Sequence, residues 1–232
     1  MLFIGYNEEY DDQHMLRLLF LYMGCSSPNK SQPASENCSL LENSKLFVFQ
    51  SIVYARRENS TAWGFDIDNR VSDFDDEQGC FHQDLTDPLG TPGIDNAMSG
   101  LIPTLDLTEA FAVEGIIEDS INTGELILML QILGIEDDQE DDCVEVRMLK
   151  GTGMPMVGTD GQILDGQSFS IHPESDSSII ENISIRAGEF RATPLEIDIP
   201  VRVLDKELVF SMSNGSLQAQ LNPDGSMEGY FG

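Results

Sequence analysis

From Glu125 onward the apolar residues of this chain recur with a period of two. Leu195-Glu-Ile-Asp-Ile-Pro-Val-Arg-Val203 alternates almost without a break. Successive side chains of a β-strand point to opposite faces, so a segment of this kind buries one face and wets the other. Pro200 brings no ladder N–H, which predicts an edge strand or a bulge there. Glu125–Ile135 reads as another strand, with a helix as the alternative because Leu, Met and Gln are good helix formers. Glu136–Asp142 reads as an acidic turn and Cys143–Lys150 as a strand. Leu208–Ser213 and Ser216–Leu221 flank Asn214-Gly215, a dipeptide suited to a tight hairpin turn, and Asn222-Pro-Asp-Gly225 supplies the next turn. Before these, Leu46–Arg56 is apolar and β-branched enough for a first strand.

One segment breaks this rhythm. In Asp106–Ile121 the residues Ala110, Val113, Ile117 and Ile121 recur at helical spacing, widened by Leu107, Phe111 and Ile116. Asp106 is placed to cap the helix with Glu109 three residues on, and Gly124 to stop it. The expected fold is mainly β with one covering helix: an antiparallel sheet, sandwich-like or a curved meander, formed by a single domain over 44–232. Tyr230-Phe231-Gly232 ends the sequence as another strand begins, which suggests that the native protein is longer.

Hydrophobic residues make up 41% of the 232, enough for a real core. Against 12 basic residues stand 41 acidic ones, a net charge of -29. Such a surface repels phosphate backbones, so no nucleic-acid partner is expected. It also repels anionic membrane surfaces, so attachment to a membrane must come from a lipid rather than from basic patches. Charge of one sign at this density destabilises a compact chain unless cations screen or bind it.

The densest carboxylates lie in a loop over 59–103, rich in Gly and Pro. A loop this long requires a function or an organiser other than a core. Gly64-Phe-Asp66-Ile-Asp68-Asn69 is followed by Ser72-Asp73-Phe-Asp75-Asp76. Oxygen ligands at alternate positions suit calcium, which takes six to eight oxygens in flexible geometry. The spacing is not that of an EF-hand, because Arg70 and Val71 stand where that loop needs an oxygen ligand and glycine. Gly93-Ile94-Asp95-Asn96 adds candidates. The expected ligands are Asp66, Asp68, Asp73, Asp75 and Asp95, with Asn96 as a carbonyl donor. A solvated acidic loop is the alternative. Trp63, the only tryptophan, adjoins this cluster and is the candidate for ligand contact, or else a partly buried anchor of the loop.

Enzyme templates mostly fail. The chain has no G-x-S-x-G elbow, no H-E-x-x-H and no Walker A. Cys80-Phe-His82-Gln-Asp84 offers too few soft ligands for a closed zinc site. Paired carboxylates could still serve a glycosidase.

Leu19-Phe20-Leu21-Tyr22-Met23-Gly24-Cys25-Ser26-Ser27 resembles the end of a bacterial lipoprotein signal, in which the cysteine becomes the lipidated first residue. That resemblance implies a leader over 1–24, lipidation at Cys25, a flexible tether over 25–43 and a place in the cell envelope or outside the cell. Glu8, Glu9, Asp11 and Asp12 depart from the basic start such leaders have, whereas a start at Met15 leaves Arg17 as the basic residue. With Cys25 lipidated, Cys38, Cys80 and Cys143 remain, and none forms a C-x-x-C pair. An oxidising compartment favours one bridge. Cys80 with Cys143 is the expected one, since each lies in an acidic stretch where a staple would hold repelling segments together; spacing alone does not fix the connectivity.

Gly64-Phe-Asp-Ile-Asp68, Cys80-x-His82, Gly93-Ile-Asp-Asn-Ala-Met-Ser-Gly-Leu-Ile-Pro103 and Gly151-Thr-Gly-Met-Pro-Met156 together resemble a family of uncharacterised bacterial secreted lipoproteins. The likeness covers Gly64 to about Gly166. It implies a surface or periplasmic location and a Cys80–Cys143 pair, and transfers no catalytic residue. The expected function is that of an exported, lipid-anchored binding or structural protein whose acidic loop is stabilised by calcium. The alternatives are a calcium-assisted polysaccharide hydrolase and a carrier of an apolar ligand within the curved sheet.

Overall fold

The computed structural model of the protein describes residues 2–5, 43–77, 81–105, 112–159, 161–175, 178–203 and 206–232. The fold is mainly β and antiparallel. Its strands are β1 (Leu2–Gly5), β2 (Ser44–Val48), β3 (Leu85–Thr86), β4 (Pro92–Ile94), β5 (Ile127–Leu133), β6 (Glu140–Thr152), β7 (Ser170–Ile171), β8 (Ser178–Arg186), β9 (Glu189–Val203), β10 (Lys206–Leu221) and β11 (Met227–Phe231). Two short helices, α1 (Ile102–Leu105) and α2 (Ala112–Thr123), and a 3-10 turn at Ala97–Gly100 complete the described elements. The main sheet runs β1-β11-β10-β9-β8-β6-β5-β2, with β7 beside β6, and curls into a half-barrel. β3 and β4 form a separate two-stranded sheet within the acidic loop.

One face of the curled sheet carries the main core. Leu128, Leu130 and Ile132 of β5 meet Val144, Val146, Leu195, Ile197, Leu217 and Phe231 there. On the other face of β5, Ile127 and Met129 pack with Leu149 and Phe169. Both faces of this strand are therefore covered, which is why its sequence is nearly continuous apolar and could also be read as a helix. Helix α2 packs on β9 through Ile117 and Ile121. It ends where expected: Gly124 takes φ +79, and its N–H donates to the Ile121 carbonyl at 3.1 Å. The expected cap residues Asp106 and Glu109 lie outside the described residues.

Burial on α2 includes a charge. Glu114, only 7% exposed, accepts from both terminal nitrogens of Arg56 at 2.9 and 3.1 Å, and from the Tyr54 backbone N–H at 2.8 Å. Burial, helped by the nearby Glu114 charge, pushes the Tyr54 hydroxyl well above the usual tyrosine range. This bidentate pair fixes α2 to the segment that follows β2.

The structure corrects several sequence expectations. The strand expected over Leu46–Arg56 leaves the ladder after Val48, although Phe49, Ile52, Val53 and Ala55 remain buried. Burial there comes from packing rather than pairing, a distinction that apolar content cannot make. The acidic turn is shorter than expected, and β6 already begins at Glu140. Asn214-Gly215 does not make a hairpin: β10 runs straight through it, and the register against β9 shifts on both sides of Gly215. Asn214 takes φ +58. The left-handed residue that would have closed a two-residue turn is absorbed as a bulge instead. The next turn does form, with the Asn222 N–H donating to the Ser226 carbonyl at 2.9 Å. Pro200 sits opposite Val209 of β10.

Leu2–Gly5, within the span expected to be a leader, pairs antiparallel with β11 from Leu2 opposite Phe231 to Gly5 opposite Glu228. No helix among the described residues is long and apolar enough to cross a membrane.

Candidate metal centre

The acidic loop is anchored to the sheet by aromatic rings. Trp63 and Phe65 both pack on Tyr230 of β11, with ring centroids 5.2 and 5.1 Å apart, and the Arg191 guanidinium lies 4.7 Å over the Phe65 ring. Gly64 allows this segment to lie against Ile94, because a Cβ there would collide with the Ile94 side chain. With Trp63 and Phe65 turned to the sheet, Asp66 and Asp68 lie half-exposed further along the loop.

Asp95 comes from the exit of β4. Its N–H donates to the Phe65 carbonyl at 2.9 Å, and its carboxylate accepts from the Ile67 N–H at 2.7 Å. The Arg70 N–H donates to Asp66 at 3.2 Å and to Asp68 at 3.0 Å, curling the loop back on itself. Gly93 takes φ +89, and a Cβ there would lie 2.7 Å from the Arg70 carbonyl and 3.2 Å from an Asp66 oxygen. Only glycine lets β4 approach this closely.

The result is a group of three carboxylates, Asp66, Asp68 and Asp95, with one oxygen from each within 4.8 Å of the others. They could hold a metal ion. Calcium–oxygen distances of roughly 2.3–2.6 Å place opposite ligands about 5 Å apart, so one ion can touch all three. Burial pushes the Asp95 carboxyl up to about 6; the Ile67 N–H works against this, and Asp68 and Asp84 add to it. Asp84 is also raised, chiefly by burial and further by Asp68, Asp66 and Asp76, while the Ser72 N–H opposes the rise. Beside Asp84, the buried Ser72 hydroxyl makes no hydrogen bond. Burial is the larger cause at both carboxyls, and the neighbouring carboxylates add to it.

A pH dependence follows. A carboxyl whose folded pKa is raised favours the fold when protonated, so its contribution is largest below about 4 and is lost as pH rises toward about 6. In chelator, Asp95→Asn should therefore melt at a higher temperature than wild type at pH 7, and the gap should close as the pH falls below about 4. Melting curves of the two proteins across that range check this; a gap independent of pH would contradict it.

Not every expected ligand joins the group. Asp73 and Asp75 are exposed and form their own turn, in which the Asp75 N–H donates to Asp73 at 2.9 Å. Asn96 is buried; its side chain donates to the Trp63 carbonyl at 2.6 Å and accepts from the Ser99 N–H at 3.0 Å. It caps the 3-10 turn rather than facing the carboxylates. Trp63 serves as an anchor on Tyr230, the alternative its position in the sequence left open. Asp84, considered in the sequence only alongside Cys80 and His82, lies near enough to Asp68 and Asp66 for their charges to raise its carboxyl, but is not one of the three converging carboxylates.

Cys143 lies in β6 and is not a free thiol; its sulfur is 3.7 Å from Asn182 Oδ1. Cys25, Cys38 and Cys80 lie outside the described residues. No protein-family model matches the chain, and neither do curated proteins or solved structures compared with it.

Proposed function

We propose that the protein is an exported, lipid-anchored binding or structural protein whose acidic loop is organised by calcium. The observation that carries the metal reading is the convergence of Asp66, Asp68 and Asp95 from two segments that glycine and aromatic contacts hold together. Calcium is preferred among cations because the group is all oxygen, half-exposed and set in an irregular loop, which suits a large ion of flexible geometry. Export and lipidation at Cys25 rest on the Gly24-Cys25 junction and on the resemblance to secreted lipoproteins. In that setting Cys80 is the proposed disulfide partner of Cys143, stapling the acidic loop to β6. Removal of a leader ending at Gly24 would also remove β1 and leave β11 as a sheet edge.

A binding role fits the core better than a carrier role does. An apolar ligand within the curl would need an open groove along β9, but Leu195, Ile197 and Ile199 are buried in the core and α2 packs on that strand. For a polysaccharide hydrolase, the tryptophan that the sequence offered as a sugar contact is instead packed on Tyr230.

The test is a thermal melt with calcium and then with excess chelator at constant ionic strength. A ligand that binds only the folded state raises its stability, by about 2.7 kcal/mol at a hundredfold excess over Kd. Wild type should melt several degrees higher with calcium, and the Asp66→Asn/Asp68→Asn variant should not respond. Equal melting of wild type in both buffers would overturn the reading.

A further inference from the structure

We propose that the outer edge of β11 is a strand-acceptor site for an extended, uncharged apolar segment of a partner protein, and that β1 occupies it until the leader is removed; this rests on the reading of residues 1–24 as a leader. β1 shows the fit. Leu2-Phe-Ile-Gly5 has no charged residue and no proline. It lies antiparallel against β11 in four consecutive register pairs, from Leu2 opposite Phe231 to Gly5 opposite Glu228.

The ladder can be assigned residue by residue. The Ser216 N–H donates to the Gly232 carbonyl at 2.8 Å and the Gly232 N–H to the Ser216 carbonyl at 3.0 Å, so Gly232 bonds toward β10. Bonding direction alternates along an antiparallel strand. The β10 register is unbroken from Leu217 opposite Phe231 to Leu221 opposite Met227, so Tyr230 and Glu228 also bond toward β10. Phe231 and Gly229 therefore turn their N–H and C=O groups the other way, to Leu2 and Ile4. Once β1 is gone, those groups form an unpaired row.

That row outlasts β1 because other contacts hold β11 in place. Met227 and Phe231 are buried in the core, and Tyr230 packs against Trp63 and Phe65. β11 carries no lysine, proline or bulge of the kind that blunts an edge, whereas β2 at the other end of the sheet carries Lys45. A preformed edge of this kind binds by strand addition, in which main-chain hydrogen bonds supply the affinity. Charge decides between a second copy of the chain and a different partner. A second copy brings another net charge of -29, whereas an uncharged strand such as β1 meets no such repulsion.

The experiment uses the full chain, amide hydrogen exchange followed by NMR, and a fluorescent peptide of residues 1–7. In wild type the Gly229 and Phe231 amides should be protected. Ile4→Pro removes the N–H aimed at Gly229 and should speed exchange at Gly229 and Phe231 at least about tenfold, while Glu228 and Tyr230 stay protected and report an intact fold. Phe3→Pro removes an N–H that points away from β11, so it should leave both amides better protected than Ile4→Pro does. The Ile4→Pro chain should bind the peptide at least about tenfold more tightly than wild type does. It should prefer that peptide by a similar factor to its Leu2→Asp/Ile4→Asp form. Unprotected Gly229 and Phe231 amides in wild type would overturn the proposal, since β1 would not lie on the edge. Failure of the Ile4→Pro chain to take up peptide would overturn it by showing that the edge accepts no strand. Dimerisation of that chain without peptide uptake would overturn it in favour of a second copy. The mass of the chain recovered after export tests the leader separately: a chain still starting at Met1 would sink that reading, whereas the acceptor edge stands or falls on exchange and peptide uptake.

Discussion

Replacing Glu114 with alanine should lower the unfolding free energy by up to about 3 kcal/mol, since it removes the buried member of a hydrogen-bonded ion pair and strands the Tyr54 N–H as well as the half-buried Arg56. Glu114 is nearly buried and accepts three hydrogen bonds, two from the Arg56 guanidinium and one from the Tyr54 N–H. Its loss leaves a backbone donor and a half-buried guanidinium without their acceptor. For a chain of this size that corresponds to a fall of about 10 °C in melting temperature. Arg56→Met alone should be comparably damaging, whereas Glu114→Met with Arg56→Met should be less harmful than the sum of the two. Chemical denaturation of the four proteins measures the coupling. Simple additivity would mean that the pair contributes nothing beyond its two separate side chains.

Phe49→Ala should be as severe, about 3–5 kcal/mol by the usual cost of truncating a fully buried aromatic. Phe49 is 0% exposed and meets Phe231 edge to face, with ring centroids 6.2 Å apart. Its N–H donates to the Leu128 carbonyl at 3.0 Å, so it is the point where the chain leaves the sheet yet stays in the core. Phe49→Leu should recover much of the loss by refilling the space. Denaturant midpoints of the three proteins decide this; a loss below about 1 kcal/mol for alanine would mean that the site collapses around the gap.

The period-two pattern of the second half was sufficient to give the antiparallel β-fold, and the helical spacing before Ile121 to give the helix; the half-wet strands show why the first works. Leu195, Ile197 and Ile199 alternate because one face of β9 meets the core. The pattern misleads where burial and pairing separate. Past Phe49, at Ile52, Val53 and Ala55, the chain stays buried outside the main sheet, and at Asn214-Gly215 a turn signal is satisfied by a bulge. A local sequence signal states which backbone angles are available, and the partner strand decides their use.

The centre was legible to a similar depth. Asp66 and Asp68 stand out as alternating oxygens, and Asp95 as part of a Gly-Ile-Asp-Asn stretch. Which acids converge is a tertiary matter. Asp95 is brought in by backbone pairing with Phe65, whereas Asp73 and Asp75 belong to a turn that faces solvent. Asn96 has ligand chemistry but serves as a cap, a role that its spacing to Ser99 allows.

The most direct measurement is a calorimetric titration of calcium into the chelator-stripped protein, beside the Asp66→Asn/Asp68→Asn variant. A saturable heat with a stoichiometry of about one in wild type, lost or weakened at least about a hundredfold in the variant, is the expected result for a site that loses two of its three carboxylates. An unchanged affinity in the variant, or no saturable heat in wild type, would contradict the account and leave the acidic loop a solvated surface.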